Sequence, residues 1–183
     1  KAIKNYDFIS TCYHESGHTI LALLRNFKVS SVLIKNKYSG VTMYTTPEFS
    51  FNENNNKKIA EGEVYVLYSG IESEKILYSK LDSFNNVPMS IKIGSTVDFE
   101  YARYYIKNYS LAPDNDNKKY KKAVKANINK KLVKYWDDVA LISNALLKNK
   151  KIGFRRIKTI LTKYSINKEY WKKKFEIIER QFW

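Results

Sequence analysis

The chain is short of the residues that most often announce a small protein's chemistry. Its 183 residues include one cysteine, two histidines, six glycines and three prolines. The lone Cys12 excludes a disulfide framework, a Cys-x-x-Cys redox pair and a cysteine-rich zinc module, and it fits a reducing, intracellular setting. No apolar run approaches the roughly 18–20 residues that span a bilayer, so a transmembrane helix is not expected. The glycines, at positions 17, 40, 62, 70, 94 and 153, include no Gly-x-x-x-x-Gly-Lys. A phosphate-binding loop, and with it an ATP site in this chain, is therefore excluded. The sequence starts at Lys1 with neither an initiating Met nor a signal-peptide pattern. It reads as a piece of something longer, with any membrane tether lying outside it.

What the chain does have is a core's worth of apolar residues and a lopsided charge. At 44% hydrophobic and 15% aromatic it collapses rather than staying disordered, and its length suits one globular unit with a small appendage. The net charge of +15 is not spread evenly: residues 1–117 hold 13 basic and 13 acidic residues, whereas residues 118–183 hold 20 basic and 5 acidic. Lysines in helical patterns usually form a solvated face. The sharper alternatives are an anionic membrane surface, an acidic partner or RNA. RNA is the least supported, because no ribonucleoprotein aromatic motif, zinc finger or Gly-x-x-Gly loop accompanies the lysines.

Hydrophobic spacing predicts a helix over 6–25, capped by Asn5 or Asp7, then β-branched stretches at 31–35 and 41–45 that form a hairpin. Residues 49–56 read as a polar loop, 57–81 as a long helix and 82–93 as irregular. Ser95 or Thr96 then caps a helix to about Asn108. After a linker at 113–117, helical stretches follow at 118–134, 137–149 and 153–163, with an amphipathic piece from Lys168. The expectation is a mainly α chain with one small β-hairpin. It divides into residues 1–112, carrying the chemistry, and residues 113–183, a basic helical bundle.

The chemistry sits at His14-Glu15-Ser16-Gly17-His18, an HExxH pattern on the first predicted helix. Positions i and i+4 share a helix face, so both imidazoles can bind one metal ion, and the intervening Glu can act as general base on a water at an open coordination position. These are the chain's only two histidines. Random placement would put two histidines four apart about once in 90 chains, and requiring the Glu makes the coincidence on the order of one in a thousand. Gly17 inside a helix costs about 1 kcal/mol against alanine and signals close packing.

Two histidines leave a catalytic zinc one protein ligand short. No histidine remains, and Cys12 lies on another side of the same helix, so the third ligand must be a carboxylate. No acid follows His18 until Glu48. Glu72 and Glu74 on the second long helix and Asp98 at the start of the third are the candidates, and spacing alone does not choose among them.

The motifs resemble the peptidase domain of the FtsH family, the membrane-tethered, ATP-dependent zinc metalloproteases. Tyr13-His14-Glu15-Ser16-Gly17-His18 resembles the family's Tyr-His-Glu-Ala-Gly-His, and Gly40-Val41-Thr42-Met43-Tyr44 its Gly-Tyr-Thr-Met-Tyr strand. Ser69-Gly70-Ile71-Glu72-Ser73-Glu74 is similar to its Gly-Gly-Arg-Ala-Ala-Glu. Gly94-Ser95-Thr96-Val97-Asp98, followed by Ala102, resembles the segment bearing its aspartate ligand. The likeness covers residues 8–110 well and 118–163 loosely. It implies one Zn2+ per chain held by His14, His18 and Asp98, Glu15 as general base, and Glu74 as a supporting residue near the site. The implied activity is endopeptidase cleavage of unfolded or loosely folded proteins, with the strand at 41–45 pairing with extended substrate. The family further implies an AAA-type ATPase, upstream or in a separate chain, and a homo-hexameric ring. Ser69, Ile71 and Glu72 depart from the family pattern. The alternative to an active protease is a zinc-stabilised scaffold that docks a partner.

Overall fold

Helix α1 (Tyr6–Leu24) is the element on which the rest is assembled. Its C-terminal half, from Glu15 to Leu23, is buried on every side, because α2 (Glu53–Lys80), α5 (Trp136–Asn149) and strand β1 (Lys28–Asn36) all pack against it. The computed structural model describes residues 6–49, 51–81, 95–113 and 116–182. The capping residue Asn5 and the stretch 82–93, both singled out from sequence, lie outside these.

The end of α1 is set by Asn26, which takes the left-handed conformation at φ 64°. Asn26 N–H then donates to Leu23 O at 3.1 Å and Phe27 N–H to Ala22 O at 2.9 Å, the paired bonds that close a helix and turn the chain out of it. The turn leads directly into β1. That strand pairs antiparallel with β2 (Ser39–Thr45) on one side and with β3 (Lys151–Gly153) on the other, giving the order β2-β1-β3. Val29, Val32 and Ile34 of β1 are buried beneath the helices. The expected hairpin is therefore present and longer than its β-branched cores, and it gains a third strand. Three residues are too few to show an alternation in sequence. The left-handed Lys150, at φ 56°, stops α5 and hands its carbonyl to Ile34 N–H at 2.7 Å.

Helix α2 starts earlier than its apolar pattern announces. Asn52 caps it, its side-chain oxygen accepting from Asn54 N–H at 3.0 Å and Asn55 N–H at 3.2 Å, so residues 53–56, expected in a loop, form the first helical turn. Asparagine suits this position because its side chain replaces the missing intrahelical acceptor. At the crossing of α1 and α2, a methyl group on Gly17 would lie 2.6 Å from Ser69 O, so the two backbones approach as closely as only glycine permits. Helix α3 (Thr96–Asn108) packs against α2. Ser95 occupies its N-cap position but makes no capping side-chain bond.

The basic part begins with α4 (Asn117–Lys134), capped by Asp116, whose carboxylate accepts from Lys119 N–H at 2.9 Å. Its inner stripe is Val124, Ile128 and Leu132, one residue per turn laid on α2. Helix α5 follows, then β3, α6 (Phe154–Tyr164) and α7 (Lys168–Phe182). Trp171, Phe175 and Ile178 of α7 are fully buried with Ile157 and Leu161 of α6. One hydrophobic cluster runs from Cys12 through to Ile178. The chain is mainly helical with a small three-stranded antiparallel sheet. Among the described residues no helix is long and apolar enough to cross a membrane.

Candidate metal centre

His14 and His18 stand one turn apart on the face of α1 that looks toward α2 and α3, with ring centroids 4.6 Å apart. Each imidazole is held by its Nδ1 atom. His14 Nδ1 bonds the Glu74 carboxylate, which is itself fixed by Ser10 Oγ–H donating to its other oxygen at 2.6 Å. His18 Nδ1 lies 2.7 Å from the carbonyl of Val66, an acceptor that requires this nitrogen to carry the proton. With Nδ1 committed, Nε2 of each ring is the free ligating atom. Both Nε2 atoms face Asp98 Oδ2, at 3.2 Å from His14 and 3.4 Å from His18.

Of the three carboxylates left open by spacing, the structure brings only Asp98 to the free nitrogens. Glu74 is on the far side of the His14 ring, and Glu72 is buried with its carboxylate bonded to Lys75 Nζ at 2.6 Å. His14, His18 and Asp98 each offer one ligand atom within 4.8 Å of the others. Ligand atoms around a tetrahedral zinc with bonds of about 2.0–2.1 Å are about 3.3 Å apart, so the two nitrogen–oxygen separations match an edge of such a tetrahedron. The donor set, two neutral-capable imidazoles and one carboxylate, also suits zinc and leaves a position open.

The carboxylates around the rings set the electrostatics of the site. Burial alone would lower the His14 imidazole, but the carboxylates of Asp98 and Glu74 outweigh it and hold it well above its ordinary range. Burial would raise Asp98, yet the charge of His18 and the hydrogen bonds from both rings keep it below the usual carboxylate range. Carboxylates this close favour a protonated His14 ring, and a metal ion bound at Nε2 would take that proton's place. Cys12 takes no part: it is fully buried, and burial, then Glu15, pushes its thiol up to about 12.

Glu15 is 4% exposed and lies against β2. Thr42 Oγ–H donates to Glu15 Oε2 at 2.7 Å, which fixes one carboxylate oxygen. A methyl group on Gly40 would be 2.5 Å from Glu15 Cγ, and one on Gly70 would be 2.4 Å from His14 Nε2. Two glycines therefore make room for the side chains of the site. His14, Glu15, His18 and Asp98 open into a cleft of about 490 Å³ also lined by Ser39–Thr42 of β2, an edge strand, and by Tyr101 of α3.

Several supporting groups were not singled out from sequence. Ser10 lies one turn before His14 on the same helix face, a spacing that could have nominated it. Thr42 belongs to a quoted motif, but its bond to Glu15 depends on how the strand lies against α1. The Val66 carbonyl, being backbone, leaves no sequence signal. Beside the cleft, Tyr44 O–H donates to Glu63 Oε2 at 2.6 Å, and burial, more than that neighbour, pushes the phenol up.

No family model matches the chain, and no curated protein matches it.

Proposed function

We propose that the chain is a zinc-dependent endopeptidase domain of the FtsH type, with His14, His18 and Asp98 as metal ligands and Glu15 as general base. The observation that carries this reading is the convergence of two Nδ1-anchored imidazoles on Asp98 Oδ2, beside a carboxylate facing the same cleft. Bound zinc supplies Lewis acidity, polarising a carbonyl and acidifying a water. Glu15 takes a proton from the attacking water and delivers it to the amide nitrogen as the C–N bond breaks, leaving a carboxylate and an amine. Thr42 keeps the Glu15 carboxylate aimed while it does so. Asp98 supplies the negative charge that two neutral imidazoles lack, and Glu74 holds His14 in its ligating tautomer. With no phosphate-binding loop in the chain, substrates are unfolded or loosely folded proteins unless an ATPase, attached or separate, opens them.

Zinc content and cleavage of a reduced, alkylated protein test the reading together. The parent is expected to hold one zinc per chain after mild chelation, and Asp98→Ala to lose or loosen it. Glu15→Gln is expected to keep zinc and abolish cleavage. Cleavage that survives in Glu15→Gln would sink the assigned mechanism, and zinc without turnover in the parent would make the domain a scaffold.

A further inference from the structure

The positive charge of the last third is not uniform, and one part of it is interleaved with exposed apolar side chains. Helix α4 carries eight lysines and no acid in 18 residues. At its C-terminal end Lys134 Nζ lies 5.3 Å from the Tyr135 ring, and Tyr135 packs against Tyr170 of α7 with centroids 5.5 Å apart. The two helices thus share one end of the molecule. On α7, Tyr170, Lys173 and Ile177 follow at i, i+3 and i+7, forming a stripe. Ile177 is 50% exposed and Tyr170 39%. Ile166, in the turn that leads into α7, is 77% exposed.

That turn is built rather than loose. Asn167 N–H donates to Ser165 Oγ at 2.8 Å. Asn167 Nδ2 and Trp171 Nε1 donate to the buried Asp138 carboxylate at 3.1 and 3.0 Å. The turn therefore holds Ile166 out in solvent, ahead of the exposed Tyr170 and Ile177 on α7. Lys131 and Lys174 feel the like charges of Arg25 and of neighbouring lysines, and Arg25 is itself 3.7 Å from the Glu61 carboxylate. Of the three α7 acids, Glu169 and Glu179 are paired with Lys172 and Lys158, and Glu176 is exposed three residues after Lys173.

We propose that this face docks peripherally on an anionic phospholipid bilayer, with Lys131, Lys134 and Lys173 against the headgroups and Ile166, Tyr170 and Ile177 entering the interface. Lysine is a compact, strongly hydrated point charge suited to an array of headgroups, and aliphatic side chains among such lysines gain from acyl chains. A nucleic acid would gain nothing from the isoleucines, which offer no face for base stacking, and Tyr170 already packs on Tyr135 and Trp171. The proposal is independent of the metal centre.

Vesicle flotation tests it, using phosphatidylcholine alone or with about one third phosphatidylserine. The chain is expected to float only with the anionic vesicles, and less as salt rises. Reversing Lys131, Lys134 and Lys173 to Glu should weaken binding by at least about fivefold per lysine. Reversing Lys118, Lys119 and Lys122, at the other end of α4, should weaken it far less. The Ile166→Ser, Ile177→Ser double variant, with its fold checked by circular dichroism, should float poorly at unchanged net charge. Equal losses from the two charge reversals, or no loss from the isoleucine variant, would overturn the surface as diffuse attraction. Binding to a single-stranded RNA probe as tight as to vesicles, and indifferent to the isoleucines, would overturn it in favour of nucleic acid.

Discussion

The candidate metal centre and the helices at the C-terminal end of the chain bury different kinds of group. Around the candidate metal centre the buried side chains are polar and linked: Ser10 to Glu74 to His14, His18 to the Val66 carbonyl, Thr42 to Glu15. Around α6 and α7 the buried side chains are Trp171, Phe175, Ile178, Ile157 and Leu161, and the buried carboxylate there, Asp138, serves to anchor a turn. Charge follows the same division, balanced up to residue 117 and strongly basic after it. A linked polar network fixes geometry but adds little net stability, since each bond replaces one to water. Apolar burial adds stability without directing anything. The C-terminal part thus extends the apolar core that also runs through α1, α2 and β1 beneath the site.

The largest effect that tests this division is expected at Trp171. It is fully buried, it touches Tyr135, Tyr170 and Phe175, and its indole N–H holds Asp138. Trp171→Ala should cost about 3–5 kcal/mol and leave a buried carboxylate short of a donor. Chemical denaturation should show most of the fold's stability gone. A loss under about 1 kcal/mol would mean that the basic third is an ornament on an independently stable site.

Gly70→Ala sharpens the comparison from the other side. In a helix interior alanine is favoured over glycine by about 1 kcal/mol, so the substitution should not melt α2. The new methyl would nevertheless fall 2.4 Å from His14 Nε2 and displace the ring from its place beside Asp98. Zinc affinity, read by competition with a chelating dye, should fall about 10–100-fold while the thermal midpoint stays within a few degrees. Parallel loss of both would show that site and scaffold are not separable at this contact.

How much of this was legible in the sequence follows the same line. The helices of the basic part show plainly because their inner stripes, such as Val124, Ile128 and Leu132, repeat once per turn. The HExxH helix was legible twice over, from its apolar spacing and from its paired histidines. The choice of Asp98 over Glu72 and Glu74 came from the resemblance of its segment and not from spacing, since a carboxylate brought in from another helix obeys no local spacing. Strand β3 was missed because its pairing with β1 is a tertiary contact, and the start of α2 because a capping asparagine looks like any loop asparagine until its acceptor is counted.

The smallest expected effect concerns Lys174, which belongs to the scaffold but touches the helix of the site. Its Nζ donates to Leu24 O at 2.9 Å, close to the C-terminal end of α1, where a cation suits the helix dipole. Burial, then Lys131 and Arg25, lower it to about 8. The unfolded chain keeps that proton to about 10.4, so between these values it binds more protons than the folded one. Stability contributed by this group must therefore rise with pH across that window. Partial solvent access limits the gain to a fraction of about 1.4 kcal/mol per pH unit. Lys174→Met removes the titration, so the stability difference between parent and variant, measured by urea unfolding from pH 7.5 to about 10, should move in the parent's favour as pH rises. A difference that stays flat would mean that the ammonium reaches water freely and that the contact with α1 carries no electrostatic weight.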